Sequence, residues 1–333
     1  MGVSIPSAPT APEHLSGAAD RPDLPPGHTA HLPGRGSLFY REVAGPPGAP
    51  VLFLLHGLGA NADLNWHPAF EPLGRHFRVI APDHRGHGRG IRANEPFSLA
   101  DCADDVAALA QALGIERFGA VGYSMGGPIA QLAWQRHPER VHGLVLCATA
   151  RDFRGHPRER LLYGGPGMLS GLPPPPAPRA GLPGAEGAVS PLFGGHPHAD
   201  WAVEELRRSD LATVLQAALE VGSFSSREWA HEIDVPTVVV VTRRDRLVPP
   251  HRQHKLAQSI PGAIVFEVDG DHHVVSGDAE DFVHALVGAC RAVSPWPPAE
   301  EELRARRGRR RRFGARRRRV ALLPAAAAES AGT

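Results

Sequence analysis

The chain has 333 residues, of which 42% are hydrophobic and 21% charged, and its formal net charge is +1 at pH 7. This size and composition suffice to bury a full core, so we predict one globular domain with an insertion. The three cysteines, Cys102, Cys147 and Cys290, are too few and too widely spaced for a disulfide framework or a metal cluster. We therefore predict reduced core thiols, a cytoplasmic location and no metal or cofactor.

The two ends of the chain differ in composition from the rest. Residues 1–30 are rich in Pro, Ala, Gly and His and lack an apolar period, which predicts a disordered lead rather than a signal peptide. No apolar run approaches the roughly 18 residues that a membrane span needs. Residues 303–333 carry eleven arginines and one acid, a net charge of +10, which leaves −9 on residues 1–302. We expect residues 294–333 to be a disordered tail that is either merely solvated or able to contact anionic surfaces.

The first regular elements form a strand-helix-strand pattern. Residues 51–55 are a continuous apolar run of strand length, and the glycine loop 56–59 follows it. Residues 77–81 predict a second strand. Apolar residues recur at helical spacing between the two strands, which predicts a right-handed crossover. Ser98 then begins a helix that Gly114 ends.

The next unit carries a serine between two glycines, in residues 119–130. An apolar run stops at Gly122 and a helical pattern begins after Ser124. Such a turn needs glycine at positions 122 and 126 because a Cβ there would collide with the neighbouring backbone, and the turn exposes the serine hydroxyl. The unpaired N–H groups of the new helix would face negative charge developing on an attacked carbonyl. Ser124 is therefore the candidate nucleophile.

The alternation of strands and helices stops after residue 147 and resumes near residue 236. Residues 151–231 are rich in Pro and Gly and contain one long amphipathic segment, 199–221. This insertion should lie over the carboxyl ends of the strands as a lid, where open α/β sheets bind their ligands. The later elements are predicted at 236–241 (strand), 250–260 (helix), 263–268 (strand) and 278–291 (helix).

A serine hydroxyl needs a base, usually a histidine that a carboxylate orients. Asp245 follows the strand at 236–241, and His272 follows the next strand, so both lie on the same sheet edge as Ser124. The order Ser, Asp, His is the one that an α/β-hydrolase arrangement requires. We predict a triad of Ser124, His272 and Asp245.

Four residues compete with these assignments. His273 is adjacent to His272, and His251 begins a helix, so each is an alternative base. Asp152, which follows the preceding strand, is an alternative acid. Asp83 precedes the serine and is better interpreted as a carboxylate that braces a loop near Arg85.

The residues from about 36 to 291 resemble the α/β-hydrolase superfamily, in its lidded branch of esterases, enol-lactonases, carbon-carbon bond hydrolases and perhydrolases. Four landmarks match in order, and they are the loop 56–59, the segment 83–88, the turn 122–127, and the Asp245 and His272 loops. The resemblance implies a mostly parallel central sheet flanked by helices, with a core of residues 31–150 and 232–293 and a lid insertion at 151–231.

In that family two backbone N–H groups form the oxyanion hole, and the resemblance assigns them to Leu58 and Met125. The matching histidine, His56, braces the loop. The resemblance implies a serine esterase, a carboxylic ester hydrolase that cleaves a small ester, thioester or lactone with an apolar acyl group through an acyl-enzyme. Acyl transfer, carbon-carbon bond hydrolysis, perhydrolysis and a non-catalytic ligand receptor stay open as alternatives. An apolar pocket could be lined by Phe153, Leu161, Met168, Trp201, Leu215, Phe224 and Trp229.

Overall fold

A computed structural model describes residues 21–153, 198–277 and 279–294. Eight strands form one sheet in the order β1-β2-β4-β3-β5-β6-β7-β8. β1 and β2 pair antiparallel, as do β2 and β4, and all the other pairs are parallel. The strands are β1 (Gly27–Leu32), β2 (Gly36–Val43), β3 (Val51–Leu55), β4 (Arg78–Pro82), β5 (Phe118–Tyr123), β6 (Val141–Cys147), β7 (Thr237–Thr242) and β8 (Ile264–Val268).

Helices cover both faces of this sheet, which confirms the predicted fold class of a mostly parallel sheet flanked by helices. One large apolar cluster lies on each face of the sheet. Every residue of β5 and β7 is buried, as expected for central strands with helices on both sides. The helices are α1 (Ala62–Trp66), α2 (Phe70–Gly74), α3 (Leu99–Ala112), α4 (Gly126–Arg136), α5 (Ala199–Arg207), α6 (Leu211–Ser223), α7 (Pro250–Ser259) and α8 (Glu280–Val293).

Helix α3 begins where the sequence predicts. The Ser98 hydroxyl accepts hydrogen bonds from the N–H groups of Ala100 and Asp101, so it caps two donors of the first turn. Gly114 follows the helix with a φ of +66°, a conformation that favours glycine. Among the described residues, no helix is both long and apolar enough to cross a membrane.

The described part of the insertion differs from the prediction of one long segment at 199–221. The structure has two helices, α5 and α6, because the chain turns at residues 208–210. Asp210 caps α6 through its side chain, which accepts a hydrogen bond from the N–H of Thr213. An N-cap residue has an extended backbone, so a continuous helix cannot run through Asp210. Residues 154–197 of the predicted lid lie outside the described residues.

The predicted boundary of the disordered lead at residue 30 is wrong. Residues 27–30 belong to β1, which pairs with β2 along its whole length. Gly34 makes the hairpin turn with a φ of +72°. β1 is an edge strand with partly polar, partly exposed side chains, so the apolar pattern that marks a buried strand is weak there. Residues 1–20 and the predicted tail from 295 onward lie outside the described residues.

Candidate active site

Ser124 occupies a sharp turn between β5 and α4, with a φ of +51° that non-glycine residues rarely adopt. The flanking glycines are required as the sequence predicts. A Cβ on Gly122 would lie 2.2 Å from the carbonyl oxygen of Gly126, and a Cβ on Gly126 would lie 2.0 Å from that of Leu55. The turn thus holds the serine at the carboxyl edge of the sheet.

A buried threonine on the neighbouring strand end braces this turn. The hydroxyl of Thr149 donates to the carbonyl oxygen of Ser124 at 2.8 Å, and the N–H of Ser124 donates to the carbonyl of Cys147 at 2.9 Å. Gly127 allows the close approach, because a Cβ there would lie 2.2 Å from the Thr149 hydroxyl oxygen. Both the N–H and the carbonyl of Ser124 are therefore held by hydrogen bonds.

The structure brings Ser124, His272 and Asp245 together in one hydrogen-bonded chain. The Nε2 atom of His272 lies 2.9 Å from the hydroxyl oxygen of Ser124, and its Nδ1 lies 2.7 Å from Oδ2 of Asp245. A carboxylate only accepts hydrogen bonds, so Nδ1 carries the proton and Nε2 is free to accept the serine proton. The Asp245 side chain is fully buried, and that of His272 is 11% exposed.

The Asp245 carboxylate is held by its own loop. Its Oδ1 accepts the backbone N–H groups of Leu247 and Val248 at 2.8 Å each, and its Oδ2 accepts the hydroxyl of Thr242 at 2.9 Å. With His272 and the side-chain amide of Gln253 at 3.4 Å, five donors surround this buried carboxylate, which removes most of the cost of burying its charge.

The competing carboxylates bind other groups, and the competing histidines are exposed. Asp152 pairs with the guanidinium of Arg227 at 2.8 Å, and His273 is exposed beside His272. Asp83 does brace a loop, but it accepts the N–H groups of Ala62 and Arg89, whereas Arg85 pairs with Asp105. His251 lies in the first turn of α7 and is exposed.

The loop after β3 is shaped by His56. Its Nε2 accepts the N–H of His84 at 2.9 Å, so its Nδ1 carries the proton and donates to the carbonyl of Gly57 at 2.8 Å. In a trans peptide the C=O and the following N–H point in opposite directions. By holding the Gly57 carbonyl, His56 therefore directs the Leu58 N–H away from itself.

Asn65 is a further loop-binding residue that the sequence analysis did not single out. Its Oδ1 accepts the N–H of Gly57 at 2.9 Å, so both peptide units that flank Gly57 are fixed. Within the described part of the chain, the N–H groups of Leu58 and Met125 have no hydrogen-bond acceptor. Two free donors thus lie in the loops on either side of Ser124.

Gly57 and Gly59 serve this loop in different ways. Gly59 has a φ of +73°, which favours glycine. A Cβ on Gly57 would lie 3.5 Å from the Cβ of Ser124, an ordinary contact distance. Glycine at position 57 therefore leaves space open beside the nucleophile rather than relieving a clash.

Buried ion pairs and hydrogen bonds surround the segment after β3 and connect it to helix α5. The carboxylate of Asp63 pairs with Arg41 at 2.7 Å and with Arg89, and Oε2 of Glu205 accepts the side-chain amide of Asn61 at 2.6 Å. Burial raises the pKa of Asp83 to about 6, against the opposing charge of Arg89. Burial also tends to raise the pKa of Asp63, but its hydrogen bond with Arg41 and the charge of Arg89 outweigh that effect and lower it.

Three neighbouring buried histidines are held neutral in the same region. The rings of His56 and His84 lie 4.3 Å apart, and those of His56 and His87 lie 5.4 Å apart. Burial lowers the pKa of His84 to about 3 and that of His87 to about 4, and it also lowers the pKa of His56. In the described ranges, no cluster of three His, Cys, Asp or Glu side chains is arranged to hold a metal ion.

The apolar side chains proposed for a pocket are only partly brought together. Phe153 and Phe224 are buried in the same cluster as Met125. Trp201 instead packs in a small separate cluster with Leu64, and Leu215 is 37% exposed on α6. Trp229 packs against the Met125 cluster from a partly exposed position. Leu161 and Met168 lie outside the described residues.

Comparisons with known proteins show the family of this chain. Residues 50–279 match the family described as the alpha/beta hydrolase fold. The chain is 31% identical over 270 residues to a protein of Azorhizobium caulinodans named carbamate hydrolase RutD, covering 75% of this chain and 94% of that protein.

Solved structures of other hydrolases share this fold. The enol-lactonase from Burkholderia xenovorans LB400 is 26% identical, with a TM-score of 0.63 over 78% of this chain and 98% of that one. A hydrolase from Pseudomonas aeruginosa PA01 is 24% identical, with a TM-score of 0.64 over 79% of this chain and 97% of that one. The latter likeness concerns the fold alone.

Proposed function

Because the chain belongs to the α/β-hydrolase family, we propose that it is a serine hydrolase of the carboxylic ester type, which cleaves a small ester, thioester or lactone. The observation that carries the proposal is the hydrogen-bonded chain from the Ser124 hydroxyl through His272 to the buried Asp245. A serine beside a free imidazole nitrogen and two free N–H groups is the arrangement that acyl transfer needs.

The reaction begins with attack of the Ser124 oxygen on the substrate carbonyl. Nε2 of His272 takes the serine proton as the new bond forms, and Asp245 stabilises the resulting imidazolium through Nδ1. The carbonyl oxygen becomes negatively charged and is bound by the N–H groups of Leu58 and Met125, each worth about 3 kcal/mol in the transition state.

The intermediate then collapses to an acyl-enzyme. The imidazolium of His272 gives its proton to the leaving alkoxide or thiolate, which departs as the alcohol or thiol or, for a lactone, becomes a hydroxyl group on the acyl chain. His272 next deprotonates a water molecule, which attacks the acyl carbon, and the serine regains its proton as the acid leaves. These steps use the side chains of the triad, the backbone N–H groups of Leu58 and Met125, and water.

Labelling with a fluorophosphonate probe tests the proposal. We expect the wild type and the control variant Ser37→Ala, which loses an exposed hydroxyl on β2, to be labelled, whereas Ser124→Ala is folded but unlabelled. The same variant should lose at least about a thousandfold in kcat, because nucleophile, base and acid act as one unit. Equal labelling of wild type and Ser124→Ala would contradict the proposal.

The substrate class is tested with a panel of esters, thioesters, lactones and carbamates. The lactones are suggested by the enol-lactonase, and the carbamates by the relative named carbamate hydrolase. All four present a carbonyl carbon to Ser124 and differ in the leaving group, and carbamates also carry a nitrogen atom on that carbon. We expect the highest kcat/KM for esters or lactones with a modest apolar acyl group, since Met125 lies in an apolar cluster with Phe153 and Phe224.

A further inference from the structure

Tyr123 precedes the nucleophile and points to the opposite side of the sheet. Consecutive residues of a strand face opposite ways, so the tyrosine ring enters the layer that contains α1 and α8. It packs edge-on against Trp66 at a centroid distance of 6.2 Å and against Phe282 at 5.6 Å. Only 2% of the residue is exposed.

The phenol of Tyr123 reaches the loop that carries the histidine. Its hydroxyl lies 2.9 Å from the backbone carbonyl oxygen of His272. A carbonyl can only accept, so the tyrosine donates. Burial, together with the charge of Asp245, raises the pKa of Tyr123 well above its usual value, so this donor keeps its proton.

The carbonyl of His272 depends on this bond. In the part of the chain that the structure describes, no other group donates a hydrogen bond to it. The turn that follows is held by the N–H groups of Ser276 and Gly277 on the carbonyl of His273, at 3.1 Å each, and by the N–H of Val274 on that of Asp271 at 3.4 Å, which is long. The N–H of His273, in the same peptide unit as the His272 carbonyl, donates to the exposed side chain of Asp271 at 2.8 Å. Tyr123 therefore anchors the carbonyl end of the peptide unit that follows His272, while Asp271 holds its N–H end.

We propose that Tyr123 is a positioning residue, which fixes the imidazole of His272 against Ser124 by hydrogen-bonding the His272 backbone carbonyl. The inference rests on the proposed serine hydrolase function. Two consecutive residues at the end of β5 thus contact His272, because Ser124 contacts its imidazole and Tyr123 hydrogen-bonds its backbone carbonyl. Small misplacements of a catalytic group have large effects on rate, whereas substrate binding does not depend on this bond.

The test is Tyr123→Phe, which keeps the ring and its packing and removes only the hydroxyl. We expect kcat to fall about tenfold with KM unchanged, and the rate constant of fluorophosphonate labelling to fall by the same factor. The final amount of label at saturating probe measures how much of the protein is folded. A lower rate constant with an unchanged final amount therefore shows a slower reaction and not a loss of folded protein. Tyr40→Phe is the matched control, because Tyr40 is also buried, at 3% exposure, but lies on β2 away from the triad. It should react as the wild type does.

The outcomes distinguish this inference from the function on which it rests. If Ser124-dependent labelling occurs and Tyr123→Phe reacts at the wild-type rate, the positioning role is overturned and the proposed function stands. A lower amount of label at an unchanged rate would mean that the hydroxyl serves stability alone, and it overturns the inference equally. If the wild type shows no Ser124-dependent labelling at all, the proposed function fails and the inference with it.

Discussion

At the residue scale, two glycines close to the nucleophile differ in whether a methyl group fits. Gly57→Ala places a Cβ 3.5 Å from the Ser124 Cβ, whereas Gly126→Ala places one 2.0 Å from the backbone oxygen of Leu55. We expect Gly57→Ala to fold with an unchanged Tm but to be labelled at least about tenfold more slowly, because the methyl group fills space beside Ser124. Gly126→Ala should be strongly destabilised. Thermal unfolding and fluorophosphonate labelling measure both effects, and wild-type labelling of Gly57→Ala would show that the reaction does not use this space.

The sequence indicates some of these residues and not others. Ser124, Asp245 and His272 follow apolar strands, and parallel strands end at one edge of a sheet, so their proximity can be predicted. Asn65, Thr149 and Tyr123 bind backbone atoms of Gly57, Ser124 and His272, which no periodicity or motif in the sequence marks. Partners of this kind depend on the detailed path of the loops and appear only in the structure.

At the element scale, helix α5 is attached to the rest of the chain by a buried acid. Glu205 is 3% exposed and bonds Asn61 and Arg208, while its neighbour Glu204 pairs with Arg21 in solvent. We expect Glu205→Ala to lower the free energy of unfolding by about 3 kcal/mol, because it leaves the buried amide of Asn61 without its acceptor and removes a negative charge beside Arg89. Glu204→Ala should change it by less than about 0.5 kcal/mol. Urea unfolding compares the two, and equal losses would contradict a docking role for Glu205.

The elements were predictable to different degrees. β3 lies at the predicted residues, 51–55, and β4 and β7 lie one residue later than predicted, because burial on both faces makes continuous apolar runs. The edge strand β1 and the break between α5 and α6 were missed. β1 is half exposed, and the break depends on one capping side chain, Asp210, within an otherwise helical pattern.

At the scale of the whole molecule, buried titratable groups set how stability depends on pH. His84 and His87 have folded-state pKa values of about 3 and about 4, below the ordinary value of 6.5, so the unfolded chain binds more protons between these limits. Their contribution to the free energy of unfolding is fully present above pH 6.5 and is lost as pH falls. Asp83, with a pKa of about 6, acts in the opposite direction, since its contribution is lost as pH rises from about 4 to 6.

Two histidines outweigh one carboxyl, so we expect the protein to be less stable at pH 5 than at pH 7. Urea midpoints at both pH values measure the difference. His84→Phe, which keeps a ring against His56, should reduce the difference, and Asp83→Asn should enlarge it because the opposing group is removed. A midpoint that rises on acidification would contradict this assignment.

The proposed triad is assembled from distant parts of the chain, since Ser124 and His272 are 148 positions apart and lie beyond β5 and β8 respectively. During synthesis the nucleophile emerges long before its base, and an unassisted serine hydroxyl is almost unreactive. We therefore expect a partly synthesised or partly folded chain not to react with the fluorophosphonate probe. We expect reactivity to appear only when β7 and β8 have joined the sheet, so timed pulses of probe during refolding would measure when these two strands pair.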